Sequence, residues 1–368
     1  MLKSIFQRIF HDSILKITIL IFIISCFLGH PKISSINFDT IMSLLMLMIS
    51  VQVVIHFHLL DYFSQILLNH ADNNRQVVQF MTFMAFFSAM FLTNDVAILT
   101  LVPLYLGLTK QQPLPIPLPL TLITIAANLG SMATPFGNPQ NLYLVANYHW
   151  SLLSFGTTSL PISIISLILV LLMTYLVKPI RLQSMKLGTT ISIGQQSILL
   201  ALGLVIINLL GIFSIIPLEF TLMITIIIAG LIDIKSIAKV DYGLLITFVF
   251  FFLIVGNLSQ NTFLIRKISQ LVTSPFKVYL TGMGLSQVIS NVPSAILLAK
   301  FTNNVPALFL GVNIGGLGTL VASLANLITL KQLMNYRRQD VKAFTKIFLL
   351  INVIGLIILG IIGLIILR

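Results

Sequence analysis

One carboxylate stands where the apolar pattern leaves room for almost nothing ionisable: Asp95, within Phe91-Leu-Thr-Asn-Asp-Val-Ala97. A charge at the centre of a membrane helix costs roughly 2.5–3.5 kcal/mol even on lenient insertion scales, so such an acid points to function. Taking up a proton or a cation there suits a proton- or sodium-coupled step. The competing reading is a helix cap. Thr93 or Asn94 would cap equally well with no charge to bury. The corresponding stretch of the second half, Leu285-Ser-Gln-Val-Ile-Ser-Asn-Val-Pro-Ser294, keeps Ser290 and Asn291 but carries Val292 in place of the acid.

Each of these stretches is followed by a broken apolar segment, and the two segments match. Asn128-Leu-Gly-Ser-Met-Ala-Thr-Pro-Phe-Gly-Asn-Pro-Gln-Asn-Leu142 aligns with Asn313-Ile-Gly-Gly-Leu-Gly-Thr-Leu-Val-Ala-Ser-Leu-Ala-Asn-Leu327, with five of fifteen positions identical. Gly130, Thr134, Gly137 and Asn138, together with Pro135 and Pro139, do not sustain a regular helix, which frees carbonyl groups for a cation. Gly315, Gly318, Thr319 and Ser323 do the same without prolines. Past each break a half-helix begins, and its N-terminus presents unpaired N–H groups and a positive dipole end. The second arm of each hairpin does likewise. The predicted substrate-binding set is therefore Thr93, Asn94, Asn141, Ser290, Asn291 and Asn326. Such a site holds an anion without Lys or Arg, and these segments contain neither. Read singly, the Gly and Asn residues are close-packing devices. Duplicated together with the hairpins, they point to a secondary transporter.

The elements that must position them are membrane helices. The chain is 57% hydrophobic and 8% charged, with a mean hydropathy of +1.06. These values exclude a soluble domain. Candidate spans fall at 13–29, 38–57, 114–147, 152–177, 196–213, 218–232, 242–257, 305–330 and 345–367. The expected fold is an all-α polytopic membrane protein with about nine transmembrane helices and two re-entrant hairpins, in two inverted repeats with broken helices. The first repeat is 1–178, with a hairpin at 77–109 and a broken helix at 114–147. A cytoplasmic linker follows at 179–195. The second repeat is 196–368, with a hairpin at 277–302 and a broken helix at 305–330. The hairpin arms 78–92 and 96–108 count 15 and 13 residues, too short to cross unaided. Their polar tips belong inside protein or beside water, away from lipid. Prolines alternating over 113–119 suit an extended entry to the first broken helix.

The net charge of +12 is spread over loops and is no nucleic-acid patch. With the N-terminus cytoplasmic, fifteen of the 21 Lys/Arg fall inside and six outside, as the positive-inside rule requires. The basic run from Arg337 to Lys346 is then a cytoplasmic loop that can touch anionic lipid. A single cysteine, Cys26, excludes an internal disulfide. Ile23-Ile24-Ser25-Cys26 formally fits a lipoprotein cleavage box, but no polar tether follows, so a first transmembrane helix is the expectation. His56, His58 and Asp61 have the composition of a metal cluster, yet residues two apart on a helix do not share a face. No metal is expected beyond Na⁺ at the ion-coupling residues, and no cofactor other than the coupling ion.

The order hairpin, broken helix, helix, given twice with Thr93-Asn94-Asp95 and Ser290-Asn291 at the tips, resembles the ion transporter superfamily of arsenite permeases, sodium–proton antiporters and citrate or dicarboxylate permeases. With Gly137-Asn-Pro-Gln-Asn141, the wording is most similar to small bacterial inner-membrane permeases of that group. The resemblance implies an elevator-like carrier in the cytoplasmic membrane, often a homodimer, with sodium at hairpin tips and helix breaks. Its dicarboxylate members carry Ser-Asn-Thr at both tips. Asp95 and Val292 depart from that third position, so dicarboxylate binding and a second tip-linked sodium site are not carried over.

The function expected is secondary active transport of a small inorganic or organic anion, coupled to Na⁺ or H⁺, by alternating access at a mid-membrane site. The alternative is a cation–proton antiporter in which Asp95 exchanges the two ions. An intramembrane enzyme using Asp95 with His56 and His58 lacks a second acid for proton transfer. A channel would not need halves able to alternate access.

Overall fold

The computed structural model describes residues 9, 12–68, 70–110, 112, 114–182 and 193–367. Lys3, Arg8, Pro113, Lys186, Arg368 and residues 183–192 of the expected linker lie outside the described residues. Among the described residues the chain is all helical, with seventeen α-helices.

The first half contains α1 (Ser13–Ser25), α2 (Phe38–His56), α3 (Leu59–Leu68), α4 (Asn74–Leu92), α5 (Asn94–Leu108), α6 (Pro117–Ser131), α7 (Pro139–Tyr148) and α8 (Leu152–Met173). The second half contains α9 (Gln195–Ile212), α10 (Leu218–Ala238), α11 (Tyr242–Leu258), α12 (Thr262–Leu271), α13 (Pro275–Ile289), α14 (Asn291–Ala299), α15 (Val305–Ile314), α16 (Leu324–Tyr336) and α17 (Val341–Ile366). From α2 and from α11 onward the two halves run through the same sequence of elements. Among the described residues six helices are long and apolar enough to cross a membrane: α2, α4, α8 extended to Leu176, α9, α10, and α17 extended back to Arg338. The pair α11–α12 is bent by 101° and counts as a seventh if taken as one span. The expected spans 114–147 and 305–330 are each two helices, α6–α7 and α15–α16, and α1 has 13 residues.

Both arms of the first hairpin are longer than expected, the second, α5, having 15 residues. The first arm, α4, has 19 residues and starts at Asn74, capped by Asn73, which accepts from Gln76 N at 3.0 Å. Its polar start is held down by Arg75, whose Nε donates to Val177 O at 2.8 Å. By length this arm can cross, so shortness does not explain its hairpin. The turn does. Thr93 between α4 and α5 has φ 73 and ψ 151, and Ser290 between α13 and α14 has φ 73 and ψ 157. A hydroxyl residue in this sparsely populated region reverses the chain at both places. The two arms then pack on each other in each half.

The centre is made by the first members of the broken helices. Every residue from Pro119 to Ser131 of α6 and from Ala307 to Ile314 of α15 is buried. A helix apolar on all faces belongs in such a place. Glycine permits the close approach. A Cβ on Gly130 would run into the backbone of Phe86 in α4, and one on Gly311 into that of Tyr279 in α13. The halves interlock around this centre: α5 packs on α16 of the other half, and α14 on α7. A second group, α1, α2, α9, α10 and α11, packs mainly on itself and meets the first through α2 and α9 on α7 and through α11 on α14. Its outer helices present leucine, isoleucine and phenylalanine outward, as for Leu231, 83% exposed. That surface suits lipid tails.

Candidate functional site

Both breaks are closed by the same side chain. Asn141, three residues into α7, donates from Nδ2 to Thr134 O at 2.9 Å and to Ser131 O at 3.3 Å. Asn326, three residues into α16, donates to Thr319 O at 3.1 Å and Gly316 O at 3.2 Å. These are equivalent carbonyls, seven and ten residues back in each copy. Each amide oxygen is taken by the opposite half. Asn313 Nδ2 donates to Asn141 Oδ1 at 2.8 Å, and Asn128 Nδ2 donates to Asn326 Oδ1 at 2.7 Å. Asn128 and Asn313 are themselves equivalent residues at the ends of α6 and α15. All four side chains are at least nine-tenths buried, and in that environment unmade hydrogen bonds are costly.

The hairpin tips attach to this frame. Asn94 N donates to Gly137 O at 3.1 Å, and Asn94 Nδ2 to Asn128 Oδ1 at 3.1 Å. Ser323 Oγ donates to the same Asn128 oxygen at 2.9 Å. Asn138 caps α7 by accepting from Asn141 N at 2.9 Å, while its Nδ2 reaches Asn313 Oδ1 at 2.9 Å. Thr134 Oγ1 donates to Met90 O, and Thr319 Oγ1 donates to Gln287 O at 3.0 Å, so each break is bound to the first arm of its own hairpin. The second tip is held more loosely. Ser290 Oγ lies 3.4 Å from both Asn291 Oδ1 and Ala322 O. Asn291 is buried, with its Nδ2 beside Gly316. Gly315 packs against Ser286, and Gly318 has φ +100, which favours glycine. The fifteen residues predicted from sequence are thus placed at the two tips and two breaks, and the frame links them into one cluster.

Asp95 stands apart from this satisfied network. Its N–H donates to Asn94 Oδ1 at 3.0 Å, but its own Oδ1 is buried and meets no donor. A lone buried carboxylate oxygen calls for an explanation, because such groups are nearly always paired. Two further buried oxygens near the frame have no partner: Gln140 Oε1 and Tyr143 OH, on one face of α7. Gln140 Nε2 reaches Asn313 Oδ1 at 3.3 Å. The histidines do not converge. His58 Nδ1 is 2.9 Å from Asp61 Oδ2, and His56 Nδ1 is 3.4 Å from Asp233 Oδ2. Among the described residues no cluster of three His, Cys, Asp or Glu is fit to hold a metal.

Sequence reasoning did not place Asn128 and Asn313 in the site, although both begin the repeated motif and are identical between its copies. It also missed Gln287. That residue aligns with Met90, so the repeat carried no sign of it.

Polar tips and breaks gathered between two like halves, in a chain faced with apolar helices, are the parts of a membrane transporter. The chain belongs to the citrate transporter family, whose model matches residues 5–308. It is 30% identical over 304 residues to an uncharacterised transporter of Methanocaldococcus jannaschii, covering 80% of this chain and 81% of that one. It is 31% identical over 314 residues to the inner membrane protein YbiR of Escherichia coli, covering 83% and 82%. A shorter match, 39% over 74 residues, joins 20% of this chain to 15% of a silicon efflux transporter of Oryza sativa subsp. japonica. The family and the first of these relatives are transporters, so the enzyme reading is set aside.

Proposed function

We propose that the protein is a secondary active transporter that moves a small anion across the cytoplasmic membrane, coupled to Na⁺ or H⁺. One observation carries the reading. The N-termini of α5, α7 and α16 are drawn together by the bonds of Asn94, Asn138, Asn141 and Asn326 to the α6 and α15 ends, and the first turn of each of these three helices carries no Lys or Arg. Helix N-termini bind anions through free N–H groups and the dipole end, with no basic side chain needed.

In this reading the tips, Thr93 with Asn94 and Ser290 with Asn291, meet the substrate. Asn141 and Asn326 act on the same site through the breaks they close, because their amides are already engaged. Asp95, with its unpartnered oxygen, takes the coupling cation or proton, and its neighbour Asn94 ties the tip to the first break through Gly137 O. The two packing groups supply the parts for alternating access: the group bearing the site, and the group α1, α2, α9, α10 and α11 against which it shifts. The N-terminus is assigned to the cytoplasm from the charge count, and the halves are inverted.

The orphan oxygen of Asp95 also favours a second reading, cation–proton antiport, in which that carboxylate is the whole site. The deciding experiment is flux into proteoliposomes for a panel of small inorganic and organic anions, with Na⁺ and pH gradients imposed separately. Accumulation of one anion driven by either gradient is expected. Na⁺ and H⁺ exchanging with no anion requirement would install the antiporter reading instead.

A further inference from the structure

The two breaks are alike in backbone and unlike in what fills them. In the second half Gln287, near the end of α13, points into the break that follows α15. Its Nε2 donates to Gly315 O at 2.8 Å and to Leu317 O at 3.0 Å, with a weaker bond to Met283 O at 3.2 Å in its own helix. Its Oε1 accepts from Thr319 N at 2.9 Å. Gly318 wraps closely around this amide: its φ is +100, and a Cβ there would collide with Gln287 Oε1. A side-chain NH₂ group surrounded by break carbonyls occupies the position that, in an open break, free carbonyls offer to a cation.

The first half lacks this plug. The residue equivalent to Gln287 is Met90, an identity fixed by matched bonds: Thr134 Oγ1 donates to Met90 O just as Thr319 Oγ1 donates to Gln287 O. A thioether has no proton to donate, so it cannot close carbonyls. The equivalents of Gly315 and Leu317 are Gly130 and Met132. Gly130 O accepts from Ala133 N at 3.0 Å, and Met132 O has only a 3.4 Å contact from Asn141 Nδ2. The same half carries Asp95, whose Oδ1 meets no donor, where the second has Val292. One half has the carboxylate and no amide plug. The other has the plug and no carboxylate.

We infer that Gln287 is a tethered substitute for a coupling cation, so that the second break binds no Na⁺ and ion coupling runs through the Asp95 side alone. The inference rests on the transporter reading above, and its test is chosen to stand apart from it. Binding of Na⁺ is measured on the purified full-length protein, without substrate and without a gradient, by ²²Na⁺ equilibrium binding and by the shift of the melting temperature when Na⁺ replaces choline. A chain that accumulates no anion would defeat the transport reading and leave this measurement intact.

Wild type is expected to bind no more than one equivalent of Na⁺, and Asp95→Asn none. Gln287→Met, which installs the residue of the first half, should bind one equivalent more than its parent, and should keep that equivalent in the Asp95→Asn background. Gln287→Glu is the companion variant, because it preserves the shape and the bond from Thr319 N. Its carboxylate would face the carbonyls of Gly315 and Leu317 and hold that arrangement only with Na⁺ or a proton between them. A Na⁺- or pH-dependent melting shift beyond that of the wild type is therefore expected, and it should persist in the Asp95→Asn background. A stoichiometric Na⁺ retained by Asp95→Asn with Gln287 intact would overturn the inference. So would folded Gln287→Met and Gln287→Glu proteins that bind no additional ion.

Discussion

Asn128 donates to Asn326 across the two halves at 2.7 Å, and the same bond is made in the opposite sense by Asn313 to Asn141 at 2.8 Å. Each donor ends an unbroken half-helix, and each acceptor closes the partner's break. The frame of the site is thus a pair of reciprocal clasps, and the amide that closes each break is anchored through its oxygen by the opposite half. Asn128→Ala or Asn313→Ala should each lower stability by about 1–3 kcal/mol for every buried group left unpaired. Thermal unfolding in detergent reads the loss. A double-mutant cycle on Asn128 and Asn326 should return a coupling energy, and additivity within error would mean that the clasp contributes nothing.

Glycine at the central crossing gives a sharper contrast. A Cβ on Gly130 would meet the Phe86 carbonyl, whereas one on Gly107, at the far end of α5, meets nothing. Gly130→Ala should cost on the order of 1–3 kcal/mol or more, since the backbone of α4 must move. Gly107→Ala should be close to neutral. Equal melting temperatures for the two variants would contradict the packing of α4 on α6.

The tips can be tested with little damage to the frame. Asn94→Ala leaves Asn128 Oδ1 still accepting from Ser323 at 2.9 Å, and Asn291 makes only a 3.4 Å bond. Both substitutions should therefore abolish uptake while changing the melting temperature by a few degrees at most. Wild-type uptake in either variant would return these amides to a packing role.

How much of this was legible depends on what the repeat preserved. The tips and breaks could be read because Gly, Pro and Asn interrupt apolar runs at matched places in both halves, and few physical reasons duplicate such interruptions. The length of α4 could not. Arg75 and Gln76 look like interfacial residues in the sequence, and only the bond from Arg75 to Val177 O and the cap at Asn73 draw them into the helix. Asn141 and Asn326 were read as ligands from their type and place, but type does not say where an amide points. Their committed bonds to Thr134 O and Thr319 O depend on the loop geometry. Gln287 was invisible for the opposite reason: it breaks the repeat, and a comparison of copies weighs only what they share.

The inversion proposed for the two halves predicts sidedness. In a Cys26→Ser background, cysteines at Lys110, just after α5, and at Lys300, just after α14, should react with membrane-impermeant maleimide from opposite faces, Lys110 from the cytoplasm and Lys300 from outside. Labelling of both from one face would remove the inversion and leave two parallel halves.

The remaining prediction concerns Asp95. Its Oδ1 is the only carboxylate oxygen among the described buried side-chain atoms that lacks a partner, and it sits one residue from a tip tied to Gly137 O and Asn128. Asp95→Asn keeps the size and planarity of the group but cannot ionise. If the acid carries the coupling ion, the variant should fold with unchanged or higher melting temperature, because a neutral amide is cheaper to bury than a lone carboxylate. Gradient-driven accumulation should fall to background, while substrate binding in detergent persists in weakened form and loses its dependence on Na⁺ or pH. Accumulation at the wild-type level with the same ion dependence would remove Asp95 from coupling. The carbonyls of the breaks at 130–138 and 315–323 would then have to hold the ion, which needs no side-chain charge.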